Sequence, residues 1–281
     1  MNEKTVLITG ASSGFGMLAA CRLAAEGYRV IASMRNTEKQ TDLFRMLGEH
    51  EERVTVLELD VTSPESIDAL KKYLKETGKI DILINNAGFA FGGFGEEVTV
   101  ADYKSQFETN FFGVIAVTQA VLPYMRKQRS GKIINMSSIS GLIGFPGLSP
   151  YAASKHALEG YSESLRLEVK PFGIDVALIE PGSFSTNIWT TGRKVSSIED
   201  SPYLVYMNAI ENELEQGKEK LGDPADVAEL IVKLCAKNSL TKLRYPAGKG
   251  VRISLFLKRI LPWRMWESIL IGKLLRKKIE L

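Results

Sequence analysis

The sequence predicts an α/β fold, namely a single doubly wound parallel sheet with helices on both of its faces. Short apolar runs alternate along the chain with segments of helical periodicity. The runs are apolar nearly throughout, as in strands that are buried on both faces. A chain of 281 residues is long enough to bury the core of one such domain. We therefore expect βαβ units with right-handed crossovers.

Six strands are predicted, each followed by a turn or a helical segment. They lie at Thr5–Thr9, Arg29–Ser33, Val54–Leu59, Ile80–Asn85, Lys132–Met136 and Asp175–Ile179. The clearest helical segments are Phe15–Glu26 and Tyr151–Val169. A later helix is expected to begin with Asp223 as its N-cap and Pro224 in its first turn. Between about residues 185 and 222 the pattern loosens into mixed polar and aromatic residues, which indicates a lid over a site.

Composition excludes several other classes of protein. With 44% hydrophobic and 25% charged residues, the chain is typical of a folded soluble protein. Cys21 and Cys235 stand far apart without a histidine cluster, so neither a disulfide framework nor a metal site is expected, and a reducing cytoplasm is the default. No signal peptide fits before the first strand. The longest uncharged stretch, 133–154, is broken by glycines and prolines and cannot form a spanning helix.

A glycine-rich turn follows the first strand. It reads Thr9-Gly10-Ala11-Ser12-Ser13-Gly14-Phe15-Gly16 and opens onto a helix. Such a turn lets the backbone approach a pyrophosphate, while the free N–H groups and the helix dipole stabilise its charge. The placement between a strand and a helix favours dinucleotide binding, and hence a Rossmann-type domain over residues 1–248.

Further motifs follow in a consistent order. Asp60-Val61 follows the third strand, Asn85-Asn86-Ala87-Gly88 ends the fourth, Asn110 lies in a long helix, and Ser138 precedes Tyr151-Ala152-Ala153-Ser154-Lys155, with Pro181-Gly182 beyond. Together with the glycine turn, these motifs resemble those of the short-chain dehydrogenases/reductases over roughly residues 4 to 240. The Gly-Phe-Gly turn, the lid and Tyr245-Pro246-Ala247-Gly248 are similar to the branch of retinol and 17-beta-hydroxysteroid dehydrogenases.

Tyr151 and Lys155 are four residues apart on a predicted helix, so they share one face. A nearby ammonium favours the phenolate, and we therefore expect Lys155 to lower the pKa of Tyr151. Ser138 could donate a hydrogen bond to a substrate oxygen. The resemblance implies that Tyr151 is the acid in carbonyl reduction and the base in alcohol oxidation, that Lys155 also holds the nicotinamide ribose, and that Asn110 binds a water in a proton relay.

The resemblance also implies a set of residues that bind the cofactor. They are Gly10, Ser12, Ser13, Gly14, Phe15, Gly16, Arg35, Asp60, Val61, Asn86, Ala87, Gly88, Tyr151, Lys155, Pro181 and Gly182. An acid near the end of the second strand would select NAD, whereas a basic residue there accommodates the 2′-phosphate of NADP. Ser33 is expected at the selecting position, and Arg35 follows it. NADP(H) is therefore the preferred cofactor, with NAD(H) as the alternative.

Aromatic residues near the predicted chemistry indicate an apolar pocket for a lipophilic carbonyl or alcohol. Ser138, Phe145, Phe184 and Trp189 are the predicted substrate contacts. We expect an NADP-preferring oxidoreductase. The alternatives are a non-catalytic NAD(P)-sensing protein and a membrane-surface scaffold. The resemblance further implies a homodimer or homotetramer assembled through the fourth and fifth helices of the fold.

Residues 249–281 form a basic amphipathic extension. They carry nine basic and two acidic residues, whereas the other 248 residues carry 27 basic and 31 acidic ones. Leu, Ile and Trp interleave with Arg and Lys in one or two helices broken at Pro262. This pattern fits packing on the protein's own domain or on a second subunit, and also peripheral contact with an anionic membrane. Nucleic acid is disfavoured because the basic residues are spaced among apolar ones.

Overall fold

A parallel sheet of seven strands forms the centre of the computed structural model, which describes residues 4–186, 188, 193–195, 200–217 and 221–275. The strand order is β3-β2-β1-β4-β6-β7-β9. The strands are β1 Thr5–Ile8, β2 Arg29–Met34, β3 Val54–Glu58, β4 Ile82–Asn85, β6 Gly131–Met136, β7 Ile174–Pro181 and β9 Arg244–Ala247. Strands β4, β6 and β7 are buried along their whole length, as expected for strands covered by helices on both faces of a sheet.

Ten helices surround the sheet in the described part of the chain. They are α1 Gly14–Ala25, α2 Gln40–Leu47, α3 Pro64–Thr77, α4 Val100–Phe107, α5 Gly113–Gln128, α6 Ser149–Val169, α7 Leu204–Gly217, α8 Pro224–Ala236, α9 Val251–Ile260 and α10 Trp263–Leu275. Apolar residues of α1, α2 and α8 form the core on one face of the sheet, and those of α3, α5 and α6 form the core on the other. The doubly wound fold is confirmed.

The chain winds outward from β1 in two directions. Val6 of β1 pairs with Val30 of β2 on one side and with Ile82 of β4 on the other, and both pairings are parallel. Here the strand order reverses, and in such sheets a crevice opens at the carboxyl ends of the central strands. The fold thus places the carboxyl ends of β1 and β4 side by side at this crevice.

Helix boundaries follow local chemistry where capping residues are present. The Asp223 side chain accepts a hydrogen bond from the Ala225 N–H at 2.8 Å, and Pro224 occupies the first turn of α8. The predicted start of this helix is therefore confirmed. At α3 the Ser63 side chain accepts from the Ser66 N–H, and Gly78 ends the helix in the left-handed conformation.

Two elements were not expected from the sequence. Strand β9 is only four residues long and includes Pro246, which suits the edge strand that it forms. A second, two-stranded parallel sheet joins β5, Ala90–Gly92, to β8, Arg193–Val195. Residues of the predicted lid thus pair with the segment that follows β4, and the remainder of the lid that is described consists mainly of helix α7.

The C-terminal extension forms α9 and α10, which are separated by Leu261 and Pro262. Val251 at the start of α9 is 3% exposed, and Trp266 of α10 is 5% exposed. A Cβ atom added at Gly182 would lie 2.6 Å from the Val251 side chain. The extension therefore packs against the turn that follows β7. No helix among the described residues has the length and apolar character needed to cross a membrane.

Candidate active site

A cavity of about 1110 Å³ lies at the switch point of the sheet. It brings together most of the predicted site residues. These are Gly10, Ser12, Ser13, Gly14, Phe15, Arg35, Asp60, Val61, Asn86, Ala87, Gly88, Ser138, Tyr151, Lys155, Pro181, Gly182 and Phe184. They come from the ends of six strands, the first turn of α1 and the first two turns of α6. Clefts at this place in doubly wound sheets are the usual ligand sites.

Three predicted residues do not line this cavity. Gly16 is buried beneath the glycine turn, Asn110 lies behind Phe89, and Phe145 is half-buried in the loop before α6. Phe145 is therefore not part of the lining of this cavity and stays a predicted substrate contact. Trp189 lies outside the described residues.

The glycine turn is fastened to the end of β4 by side-chain hydrogen bonds. Thr9 Oγ1 accepts hydrogen bonds from the N–H groups of Asn86 at 2.9 Å and Ala87 at 3.0 Å. The Asn86 side chain in turn donates to the carbonyl oxygens of Thr9 and Gly10, both at 2.9 Å. Asn86 therefore holds the turn in place. Sequence reasoning overlooked Thr9, although it begins the motif.

The space around the turn fits a dinucleotide pyrophosphate. Gly10 has φ +68°, and a Cβ atom there would lie 2.8 Å from the Ala87 Cα. At Gly16 a Cβ atom would lie 2.5 Å from the Gly10 oxygen. No side chain caps the first amides of α1, and its first turn contains no acidic residue. These free N–H groups and the positive end of the helix dipole suit an anion.

Tyr151, Ser138 and Lys155 meet at the floor of the cavity. All three are buried, with exposures of 4%, 6% and 6%. Burial raises the pKa of Tyr151 to about 12, and a hydrogen bond from Ser138 opposes the rise. The expected lowering by Lys155 is therefore wrong for this structure, because loss of hydration disfavours the phenolate more strongly than the hydroxyl. Tyr151 is a protonated hydroxyl at neutral pH.

Lys155 lies beside the tyrosine ring, with its Nζ 5.7 Å from the ring centroid. The ammonium donates a hydrogen bond to the Met136 carbonyl oxygen at 2.7 Å. Burial lowers the pKa of Lys155 to about 8, and the negative charge of Glu159 opposes this change. The cationic form of Lys155 is thus only moderately favoured near neutral pH.

Glu159 is a buried residue that sequence reasoning missed. Its Oε1 accepts a hydrogen bond from Ser137 Oγ at 2.5 Å, and its Oε2 pairs with Arg244 Nε at 2.9 Å. Glu180 is fully buried, and Arg244 Nε is 3.5 Å from its Oε1. Burial raises the pKa of Glu180 to about 8. Because Ser137 is engaged by Glu159, Ser138 is the serine left to face a substrate.

Asn110 lies in a π-helical segment, Glu108–Phe112, between α4 and α5. Its side chain exchanges two hydrogen bonds with the Phe89 backbone, at 3.1 and 3.0 Å, and donates to Ser154 Oγ at 3.3 Å. Short π segments inside helices occur often at functional sites. Here the segment joins the wall of the cavity to α6.

The end of β2 differs from the expectation in one respect. Ser33 is fully buried, its carbonyl oxygen accepts from the Ala11 N–H, and it does not line the cavity. Met34, the last residue of β2, and Arg35, which follows it, line the cavity instead. Lys39, which sequence reasoning missed, adds a second basic residue to this wall. The spacing of four residues between Arg35 and Lys39 could have indicated Lys39 from the sequence.

The aromatic residues divide between cavity and core. Phe89 and Phe184 line the cavity, and Phe184 is itself 2% exposed and lies edge to face with Phe15 at 5.6 Å. Phe94 instead stacks on Tyr203 at 4.5 Å and thereby joins the segment after β4 to the start of α7. Within the described part of the chain, no cluster of three or more His, Cys, Asp or Glu residues could hold a metal ion.

The fold and the site define a nicotinamide-dependent oxidoreductase. The family model described as short chain dehydrogenase matches residues 4–196. The chain belongs to this family, and it is an NAD(P)-dependent dehydrogenase/reductase.

Known relatives and solved structures are similar to this protein over most of its length. It is 50% identical over 279 residues to the uncharacterized oxidoreductase YusZ of Bacillus subtilis, covering 98% of this chain and 99% of the relative. It is 41% identical to the 3-ketodihydrosphingosine reductase of Bacteroides thetaiotaomicron, covering 85% and 86%. A short-chain dehydrogenase from Streptomyces avermitilis superposes with a TM-score of 0.82 at 36% identity, covering 96% and 98%. The structure of ElxO with NADP bound gives a TM-score of 0.74 at 27% identity, covering 89% and 99%.

Proposed function

We propose that this protein is an NADP-preferring oxidoreductase that reduces the carbonyl group of a lipophilic molecule, with Tyr151 as the proton donor. The observation that carries the proposal is the meeting of the Tyr151 and Ser138 hydroxyl groups with Lys155 on the floor of the cavity. The glycine turn lies on the same cavity. A hydrogen-bond donor, a proton donor and a cation therefore face one space.

In this proposal each side chain has a separate task. Bound NADP(H) would supply the hydride. Ser138 donates a hydrogen bond to the carbonyl oxygen, and Tyr151 gives that oxygen its proton. The high pKa of Tyr151 keeps the phenol protonated, which suits the reductive direction. Lys155 stabilises the negative charge left on Tyr151 and returns a proton to it. Asn110 orients the segment between Phe89 and α6, and the family resemblance assigns it the water of the proton relay.

The preference for NADP is supported by Arg35 and Lys39, which both line the cavity beyond the end of β2. Asp42 also lies on this wall, but it pairs with Arg45 at 3.1 Å, so its charge is compensated. Two cations on one wall of the cavity suit a 2′-phosphate. Replacing Arg35 by Asp should reverse the preference, as measured by parallel titration with NADPH and NADH. An unchanged ratio of the two Kd values would contradict this assignment.

A lipophilic substrate is supported by the cavity wall, where Phe89, Phe184 and Ile188 lie beyond the polar floor. The name of the Bacteroides relative gives a keto lipid as its substrate. A panel of aliphatic ketones and aldehydes, followed by the loss of NADPH absorbance, should show turnover that rises with chain length. Turnover confined to small polar carbonyls would contradict the proposed substrate class.

We propose a cytoplasmic homodimer or homotetramer built on the long helices α5 and α6, which correspond to the fourth and fifth helices expected from the sequence. Phe112 just before α5 is 48% exposed, and Leu167 of α6 is 73% exposed. Large apolar side chains at such exposure favour a protein contact. The two cysteines are free thiols, as in a reducing compartment. The C-terminal extension is proposed to make a peripheral membrane contact.

The experiment that separates enzyme from sensor is the variant Tyr151→Phe. It keeps the ring in its buried place but removes the proton donor. We expect NADPH to bind with an unchanged Kd while carbonyl reduction falls by about 10²-fold or more. Turnover equal to that of the parent would refute the role of Tyr151. NADPH binding by a parent protein without turnover on any carbonyl would favour the alternative, an NAD(P)-sensing protein.

A further inference from the structure

Helix α9 carries a stripe of apolar side chains that the protein leaves exposed. Ile253, Phe256 and Ile260 are 66%, 62% and 53% exposed. Their spacing of three and four residues puts them on one face of the helix. The helix is fixed to the domain at its start, where Val251 is buried against the turn after β7. The stripe is thus an outward face of a docked helix.

Helix α10 also carries exposed apolar side chains. Trp263, Met265 and Ile269 are 64%, 54% and 48% exposed, whereas Trp266 is buried and α10 packs against α7. Sequence alone left open whether the extension packs on its own domain or faces outward. In the structure it does both, since Val251 and Trp266 anchor it while the large side chains named above are exposed.

Basic residues border the apolar stripe. Arg252 and Arg259 are both exposed and, at seven residues apart, lie one above the other beside Phe256. The Lys258 ammonium lies 3.9 Å from the Trp263 ring centroid, which holds this cation next to an exposed tryptophan. Tryptophan and arginine or lysine at the edge of an apolar face are typical of helices that lie in a lipid interface.

The charge pattern decides which partner fits this surface. Residues 251–275 contain five basic residues and the single acid Glu267. A second copy of the same face, related by a two-fold axis, would bring like charges together. An anionic lipid headgroup region instead complements the cations, while the acyl chains take up the stripe.

We infer that α9 and α10 form a docking surface for an anionic lipid bilayer, which places the protein on the membrane that would hold a lipophilic substrate. The inference deepens the membrane contact that is part of the proposed function, but the binding of lipid itself requires no turnover.

The test is cosedimentation of the full chain with phosphatidylcholine vesicles, with and without phosphatidylglycerol, at low and high salt. We expect binding to the anionic vesicles that weakens as salt is added. Phe256→Glu should lower the partition coefficient by roughly fiftyfold, because it removes an exposed ring that would insert among the acyl chains and adds a charge that anionic lipid repels. Arg259→Gln should lower it about fivefold.

A matched control is Val100→Glu. Val100 is a 71% exposed valine at the start of α4, outside the docking surface, and its replacement should leave vesicle binding unchanged. NADPH titration and thermal unfolding verify that each variant is folded. Equal binding to neutral and anionic vesicles, or unchanged binding by Phe256→Glu, would overturn the inference. So would the absence of vesicle binding together with an oligomer, measured by light scattering, that Phe256→Glu dissociates. Because vesicle binding is measured without substrate, its result does not depend on whether the protein is an active reductase.

Discussion

The variant Glu159→Gln removes a buried negative charge one helical turn from Lys155 while keeping the size and shape of the side chain. The glutamate side chain is 5% exposed, and its two oxygens are engaged by Ser137 and Arg244. Gln can still accept the hydrogen bond from Ser137. The variant therefore tests the charge rather than the packing.

The expected magnitude follows from the separation and the environment of the two charges. Residues one turn apart lie at roughly 6 Å, and with an effective dielectric constant of about 20 two unit charges interact by roughly 3 kcal/mol. This equals about two pKa units. Burial already lowers the pKa of Lys155 to about 8 against the influence of Glu159. We expect its pKa to fall by a further one to two units in the variant.

The assay is the pH profile of kcat/KM for carbonyl reduction with NADPH. Lys155 is charged below its pKa and neutral above it, so activity should decline as pH rises through that value. In the variant this decline should begin about one to two pH units lower. Glu163→Gln is the matched control, because Glu163 pairs with the same Arg244 at 3.1 Å but is 61% exposed, and its loss should leave the profile in place.

A pH profile of Glu159→Gln that coincides with that of the parent would refute the reasoning. Lower thermal stability with an unshifted profile would mean that Glu159 serves only the packing between α6, β7 and β9.

Three further variants test the geometry. Gly16→Ala places a Cβ atom 2.5 Å from the Gly10 oxygen and should raise the Kd for NADPH at least about tenfold, whereas Gly160→Ala, where the added atom meets nothing within 4 Å, should leave it unchanged. Phe184→Ala removes a ring that is 2% exposed and packs edge to face on Phe15, and it should lower the free energy of unfolding by about 3–5 kcal/mol in urea titration; a loss below about 1 kcal/mol would contradict its place in the core. Asp223→Ala removes the cap of α8 and should lower the free energy of unfolding by about 1 kcal/mol. An unchanged Tm in thermal unfolding would contradict the role of the cap.

Local chemistry determined the fold class and most of the candidate site. Apolar runs between helical segments predict buried parallel strands, and the predicted cap at Asp223 is found in the structure. The glycine turn and the Tyr151 to Lys155 spacing could be found without coordinates, because each depends on residues within a few positions of one another. Strand β9 escaped notice because four residues that include Pro246 carry too little pattern.

The tertiary structure decided what depends on burial and on distant parts of the chain. Glu159 and Arg244 are 85 residues apart, and no local pattern joins them. Sequence spacing predicted that Lys155 lowers the pKa of Tyr151, yet the pKa is raised because the fold removes water from the phenol. Likewise, the sequence showed that α9 is amphipathic, but only packing decided that Val251 turns inward while Ile253 and Phe256 face outward. Propensity and spacing act along the chain, whereas hydration and charge act through space.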